Sequence, residues 1–350
     1  MIAKSKNRLF LSKKKVYIIA EAGVNHNGNL TKAYKLIDVA AKANADAVKF
    51  QIFDPDNLCV PGTTQADYQK KNFKSKDQNS MLKKLILKKE NYFSLKKYAI
   101  KKGLDFIVTP FDKENLVFLV KELKLRLIKI SSGDLNNFEI LNELKKLKIS
   151  VILSTGASTF REVKRSINFI EQDKFYKKKN NLAILHCTSD YPAKNDQLNL
   201  CSIKSLQKLN YPIGYSDHSE DVFTPSLAVS LGARIIEKHF TLNKRMIGPD
   251  HKASLNPSEL IKMVKLIRST EKKLGTEKKI ITKSEIRNKK IIRRSIVAKI
   301  NIKKNQKFSF ENLTCKRPAM GIDASKYLNF IGKKSNRNYK KDEFIIYRKI

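Results

Sequence analysis

Between Val16 and Phe240, eight short β-branched runs recur, each followed by a stretch with helical spacing. They are VYIIA (16–20), AVKFQ (47–51), DFIVT (105–109), LIKIS (127–131), VILST (151–155), AILHC (183–187), PIGYS (212–216) and IIEKHF (235–240). Helices are expected from Leu30, near 90–102 and from about Lys113. Strands alternating with helices make a parallel sheet, because parallel neighbours need a crossover between them. Eight such units close into a (β/α)8 TIM barrel of the α/β class, with functional groups at the C-terminal strand ends.

A barrel takes about 250 residues, and this chain has 350, so a second, smaller unit is expected. Near Ile291 the pattern changes to short alternating strands with turns at Pro318 and Gly321. The boundary is placed near 285, giving a barrel over 1–285 and a β-rich unit over 286–350. A unit that small buries little surface and is steadied by packing on something else.

Lys and Arg number 72 against 33 acids, a net charge of +39. A clustered excess would point to nucleic acid or an anionic membrane. Here the lysines are spread over nearly every expected helix without the interleaved aromatics of a base-stacking surface. Solvated helix faces that draw in an anionic substrate are the simpler reading. Cys59, Cys187, Cys201 and Cys315 are far apart and form no CxxC pair, so free thiols in a reducing cytoplasm are expected. The opening MIAKSKNRLFLSKKK has only LFL as an apolar core, too short for a signal peptide.

Across the strand ends, polar residues form one surface. It carries Glu21 and Asn25, Lys49 and Gln51, Thr109, Lys129 with Ser131 and Ser132, Ser154 and Thr155, His186, Ser216 with His218, and Glu237 with His239. In a strand, alternate residues share a face, so Ile235, Glu237 and His239 point together, as do Ser216 and His218. Two neighbouring strands that each end on an inward imidazole can bind a divalent metal. Lys49 and Lys129 supply fixed positive charge, and Ser132, Ser154 and Ser216 supply donors, a set suited to a phosphate or carboxylate. Joined to a metal, this suggests carbon–carbon bond formation between a phosphorylated or carboxylated donor and an aldehyde. The long stretch from Phe53 to Ser80 exceeds an ordinary loop and reads as a functional lid, with Tyr68 and Gln69 as candidate substrate contacts.

IAEAGVNHNGNL, AVKFQ, KISSGDLNN, ILSTGAS, LHCTSDYPA, GYSDHS, EKHF and GPDHKASL, in this order, closely resemble the sialic acid synthase family. RRSIVAKINI, KRPAMGI and IGKK resemble its C-terminal antifreeze-like (SAF) domain. The resemblance implies an N-acetylneuraminate synthase, in which phosphoenolpyruvate condenses with N-acetylmannosamine to give a nine-carbon 2-keto acid and phosphate. The alternative is legionaminic or pseudaminic acid synthesis from a diacetamido sugar. It further implies a divalent metal on His218 and His239, with manganese first and magnesium or cobalt as alternatives. Lys49, Gln51, Lys129, Ser132, Ser154 and Ser216 would hold phosphoenolpyruvate. Glu21, Tyr191, Asp250 and Arg317 would face the amino sugar, and Glu21, His218 and His239 form the implied catalytic set. Arg317 would grip the N-acyl group from the partner subunit of a domain-swapped homodimer.

Three positions depart from the family pattern: Asp134 where Glu is common, Ser189 where Asn occurs, and Asn305 where Gly is usual. The first two are expected to tune the acceptor, and Asn305 to tolerate a left-handed turn. Two rival readings stand beside the synthase. One is a Schiff-base aldolase using Lys49, Lys129 or Lys238; the other is a basic nucleic-acid binder, which leaves the strand-end pattern unexplained.

Overall fold

The computed structural model describes residues 15–177 and 181–346; apart from Lys15, the basic opening segment lies outside them. The eight expected strands are present: β1 (Tyr17–Gly23), β2 (Ala47–Ile52), β3 (Asp105–Pro110), β4 (Leu127–Ile130), β5 (Ser150–Ser154), β6 (Leu182–Cys187), β7 (Ile213–Asp217) and β8 (Ile235–His239). They form one parallel sheet in the order β3-β2-β1-β8-β7-β6-β5-β4, and β3 packs beside β4 to bring its two edges together. The register pairs Glu21 with both Lys49 and His239, and Ser216 with Glu237.

Side-chain alternation divides each strand between two cores. Ile19, Ala47, Ile107, Leu127, Ile152, Ala183, Leu185 and Ile235 fill the barrel interior. Their neighbours Ile18, Val48, Val108, Ile128, Val151, Ile184 and Ile236 face the surrounding helices. Gly214 belongs to the interior set, where an added Cβ would lie 2.4 Å from the Ile235 carbonyl oxygen; closing the ring there leaves no room for a side chain.

Helices α1 (Leu30–Lys42), α2 (Lys89–Lys101), α3 (Lys113–Lys121), α4 (Phe138–Leu147), α5 (Phe160–Ile170), α6 (Ser202–Gln207), α7 (Thr224–Ser230) and α8 (Pro257–Leu274) follow the strands in turn. Their starts are set by capping: Asn29 accepts from the Lys32 amide at 2.9 Å, and Asn256 and Glu259 form a reciprocal box before Pro257. The expected lid after β2 is ordered into three short helices, Pro55–Leu58, Asp67–Asn72 and Gln78–Lys83, and Asp54 and Asp77 cap the first and third. Its own small core joins Phe53, Cys59, Met81, Leu82 and Leu85 to Val24. Among the described residues, no helix is long and apolar enough to cross a membrane.

The compact units divide between Gly275 and Thr276, earlier than the boundary read near 285. Helix α8 ends at Leu274, and Gly275 then adopts φ +58, so the chain breaks from the barrel where its last helix stops. The C-terminal unit contains helix α9 (Lys283–Ile292) and an antiparallel pair, β9 (Ser295–Ala298) and β10 (Leu313–Lys316). Its core gathers Ile296, Ala298, Ile302, Phe308, Leu313, Phe330, Tyr339 and Ile345. Asn305 has φ 67, the left-handed conformation expected of it.

Candidate active site

The C-terminal strand ends surround a cavity of about 270 Å3 lined by Glu21, Lys49, Gln51, Thr109, Lys129, Ser132, Ser154, Ser216, His218, Glu237 and His239. Inward parity brings these side chains together from seven of the eight strands and their following turns. Tyr68 and Gln69 of the lid, with Tyr191 and Asp250, complete the opening. Gly23, at φ +52, lets the β1 end pass close by: an added Cβ would sit 3.3 Å from His239 Cε1 and 3.4 Å from Glu21 Oε1.

At the floor, two buried lysines share two buried carboxylates. Lys49 Nζ lies 2.9 Å from Glu21 Oε2 and 3.6 Å from Glu237 Oε2, and it donates to Thr109 Oγ1 at 3.1 Å. Lys129 Nζ lies 3.5 Å from Glu237 Oε1, which also accepts from Ser216 Oγ at 2.9 Å. Gln51 donates to Glu21 Oε1 at 3.1 Å.

These contacts pull the groups apart electrostatically. Burial disfavours the Lys49 ammonium, but Glu21 and Glu237 outweigh it and hold its pKa above the ordinary lysine value. Burial wins at Lys129, whose pKa is lowered despite Glu237. Burial raises Glu21 to about 7 against the pull of Lys49. At Glu237 burial acts upward too, but Lys129 and Lys49 together bring it down to about 2. Two carboxylates in one site are therefore pushed apart: the lysines favour the charged form of Glu237, and burial disfavours that of Glu21.

Beside this floor stand the two imidazoles, with ring centroids 5.7 Å apart. Burial lowers His218 to about 4 against the Thr188 carbonyl. It lowers His239 well below the ordinary value, with further help from His218 and Lys49. Both rings are thus neutral at pH 7 and carry a lone pair. His218 Nδ1 is 2.6 Å from the Thr188 carbonyl oxygen; that oxygen can only accept, so Nδ1 holds the proton and Nε2 presents the lone pair. Tyr191 donates its hydroxyl to His218 Nε2 at 3.1 Å and stacks on the ring, and Tyr68 stacks on Tyr191. His239 Nδ1 and Ser154 Oγ are buried without a hydrogen-bond partner among the described residues.

A divalent ion binds imidazole nitrogen at about 2.1 Å, so rings this far apart can reach one ion, and the donor set fits. Among the described residues no group of three His, Cys, Asp or Glu could hold a metal. An ion here would have two imidazoles from the protein and keep its other positions for water or substrate, as reactive sites do.

Several strand-end residues stay outside the cavity. Lys238 points to the outer face of β8, ion-paired with Asp217 at 2.6 Å, which removes it as an aldolase nucleophile of this mouth. Asn25 Nδ2 donates to the Phe240 carbonyl and Ser254, and Thr155 donates to the Leu185 carbonyl. His186 bonds the Leu198 carbonyl, and His251 bonds Thr241 and Asn27, so both serve loops. Asp134, expected to tune the acceptor, is instead held in its own turn by Ser131 at 2.6 Å and Asn137 at 3.2 Å. Ser189 does line the cavity. Arg317 is exposed in the C-terminal unit. Cys187, read only as a buried thiol, sits 2.9 Å from Ser132 Oγ; its inward parity on β6 was the available signal.

A model of the NeuB family matches residues 36–279. An N,N'-diacetyllegionaminic acid synthase of Campylobacter jejuni is 45% identical over 334 residues, covering 95% of this chain and 99% of its own. Another, from Legionella pneumophila, is 38% identical over 324 residues, covering 92% and 91%. Among solved structures, an N-acetylneuraminic acid (sialic acid) synthetase from Leptospira borgpetersenii, in complex with citrate, is 35% identical with a TM-score of 0.68; the match covers 78% of this chain and 90% of that one. Barrel, mouth and relatives together define a sugar-acid synthase. The chain belongs to the NeuB family, and it is an enzyme of the nonulosonic acid synthase class.

Proposed function

We propose that this enzyme condenses phosphoenolpyruvate with a diacetamido sugar, giving an N,N'-diacetyllegionaminic-type nonulosonic acid and phosphate. The observation that carries the reaction type is the buried pair Lys49 and Lys129, with the hydroxyls of Ser132, Ser154 and Ser216, in the same mouth as two neutral imidazoles. For the acceptor, 45% identity to a diacetyllegionaminic acid synthase along nearly the whole length favours the diacetamido sugar over the N-acetylmannosamine first expected.

Lys49, Lys129, Gln51 and the three serines bind the phosphate and carboxylate of phosphoenolpyruvate. Ser154 Oγ, which has no hydrogen-bond partner among the described residues, is suited to donate to it. His218 and His239 would hold a divalent ion, manganese first and magnesium or cobalt as alternatives, which would supply Lewis-acid polarisation of the sugar aldehyde. Tyr191 and Asp250 orient the acceptor from the rim. C3 of phosphoenolpyruvate then bonds to the aldehyde carbon, whose oxygen takes a proton to become a hydroxyl; water adds at C2 and loses a proton, and as the C2 hydroxyl gives up its proton to form the keto group the C2–O bond breaks and phosphate leaves protonated. Glu21, with its pKa near 7, is suited to take the proton from that water.

Arg317 completes the site in this reading, gripping an N-acyl group across a domain-swapped homodimer through an antifreeze-like C-terminal unit. A cytoplasmic location follows from its metabolite substrates. The test offers purified enzyme, manganese and phosphoenolpyruvate with N-acetylmannosamine and diacetamido sugars in turn. A product of diacetamido mass, formed fastest, is expected; efficient product from N-acetylmannosamine alone would overturn the acceptor assignment.

A further inference from the structure

The cavity wall mixes polar side chains with one continuous apolar stretch. Over β1 to β3 it is apolar, built by Phe53, Leu58, Met81, Leu82, Leu85 and Phe111. Four of these belong to the lid, and all six belong to one small hydrophobic cluster, separate from the two barrel cores. Floor chemistry does not need such a wall. Phosphoenolpyruvate presents a phosphate and a carboxylate, and burying either charge against carbon costs several kcal/mol.

An ion held by the imidazoles would place the aldehyde end of the acceptor over β7 and β8, and the wall over β1 to β3 borders the same cavity, open to the rest of that molecule. A group that reaches this wall needs an apolar end and an amide that still finds hydrogen bonds. Gln69 and Gln78 also line the cavity; Gln69 bonds the Ala66 amide and the Tyr68 hydroxyl, and Gln78 Oε1 accepts from Cys59, which leaves the Gln78 Nε2 amide to donate beside the wall. An acetamido group meets both demands, with its methyl on the leucines and methionine and its amide toward Gln78.

We propose that the lid's apolar wall is the subsite for the second acetamido group of the acceptor, with Leu58 as a specificity-determining residue. The inference rests on the diacetamido reading above. Met81 and Leu85 are 1% exposed and hold the lid's core together, so changing them would disturb the fold. Leu58 is only partly buried, at the end of its short helix, and can be changed without emptying that core.

The experiment measures steady-state kinetics of Leu58→Trp and Leu58→Ala with manganese, phosphoenolpyruvate and a diacetamido acceptor. An apolar pocket discriminates a group of methyl size on the order of 10- to 200-fold. Leu58→Trp, which fills the space, is expected to lower kcat/KM for the acceptor within that range through KM, leaving the phosphoenolpyruvate KM unchanged. Leu58→Ala, the gentler variant, is expected to lose at the bottom of that range. An acceptor KM unchanged in both variants, or a matching rise in the phosphoenolpyruvate KM, would overturn the subsite alone. If wild-type enzyme uses only N-acetylmannosamine, the proposed acceptor fails and the subsite falls with it, a result visible before any variant is made.

Discussion

The inner and outer faces of β7 and β8 carry equally buried polar residues and use them in opposite ways. On the outer face Asp217 is saturated: it takes Tyr215 at 3.1 Å, the Ser219 amide at 2.9 Å and Lys238 at 2.6 Å. Lys238 also donates to the Ser219 and Asp221 carbonyls. On the inner face, Glu237 Oε2 and His239 Nδ1 have no hydrogen-bond partner among the described residues, and Lys49 and Lys129 share their carboxylates at longer range. Adjacent residues on one strand, Lys238 and His239, thus fall on opposite sides of the same division. On these two strands the buried groups with complete bonds hold the fold, and those with incomplete bonds border the cavity.

Four changes test that contrast. His239→Ala removes an inner group with no Nδ1 partner to strand, so kcat/KM is expected to fall by at least about 10^3-fold, equal to about 4 kcal/mol, while chemical denaturation shows little loss of stability. Asp217→Ala acts on the outer face and leaves Lys238 buried and unpaired. Urea unfolding should show a loss of about 3–5 kcal/mol, with the phosphoenolpyruvate KM nearly unchanged. Glu21→Gln addresses the proton. As a base Glu21 works ionised, so wild-type kcat/KM should climb as pH rises through about 7; the variant should lose about 10^2-fold and the climb with it. Ser154→Ala deletes a hydroxyl with no hydrogen-bond partner among the described residues. It should raise the phosphoenolpyruvate KM about tenfold, the worth of one hydrogen bond to a charged group, with no thermal shift.

Period-two alternation made most of this site legible in the sequence. Inside a strand the rule is strict, and it placed Glu21, Lys49, Gln51, Lys129, Ser154, Ser216, Glu237 and His239 in one cavity. It fails where the strand gives way to a turn. Ser131 and Ser132 are neighbours and both border the cavity, breaking the alternation, while one donates to Asp134 and the other meets Cys187. Asn25, Thr155 and His186 likewise looked like mouth residues and are tied to backbone carbonyls. The apolar wall escaped notice for another reason: Met81, Leu82 and Leu85 lie beyond the stretch read as a lid, and only the fold brings them to the cavity. The unit boundary was read late because the charged stretch after Gly275 continues the helical composition of α8.

Phosphate release from phosphoenolpyruvate, followed with the diacetamido acceptor and manganese and compared with mixtures lacking either, tests most directly whether the inner mouth works as one condensing site. One phosphate per acceptor consumed is predicted, with none released when acceptor is omitted or a chelator is added. Release without acceptor, or release indifferent to chelation, would contradict it.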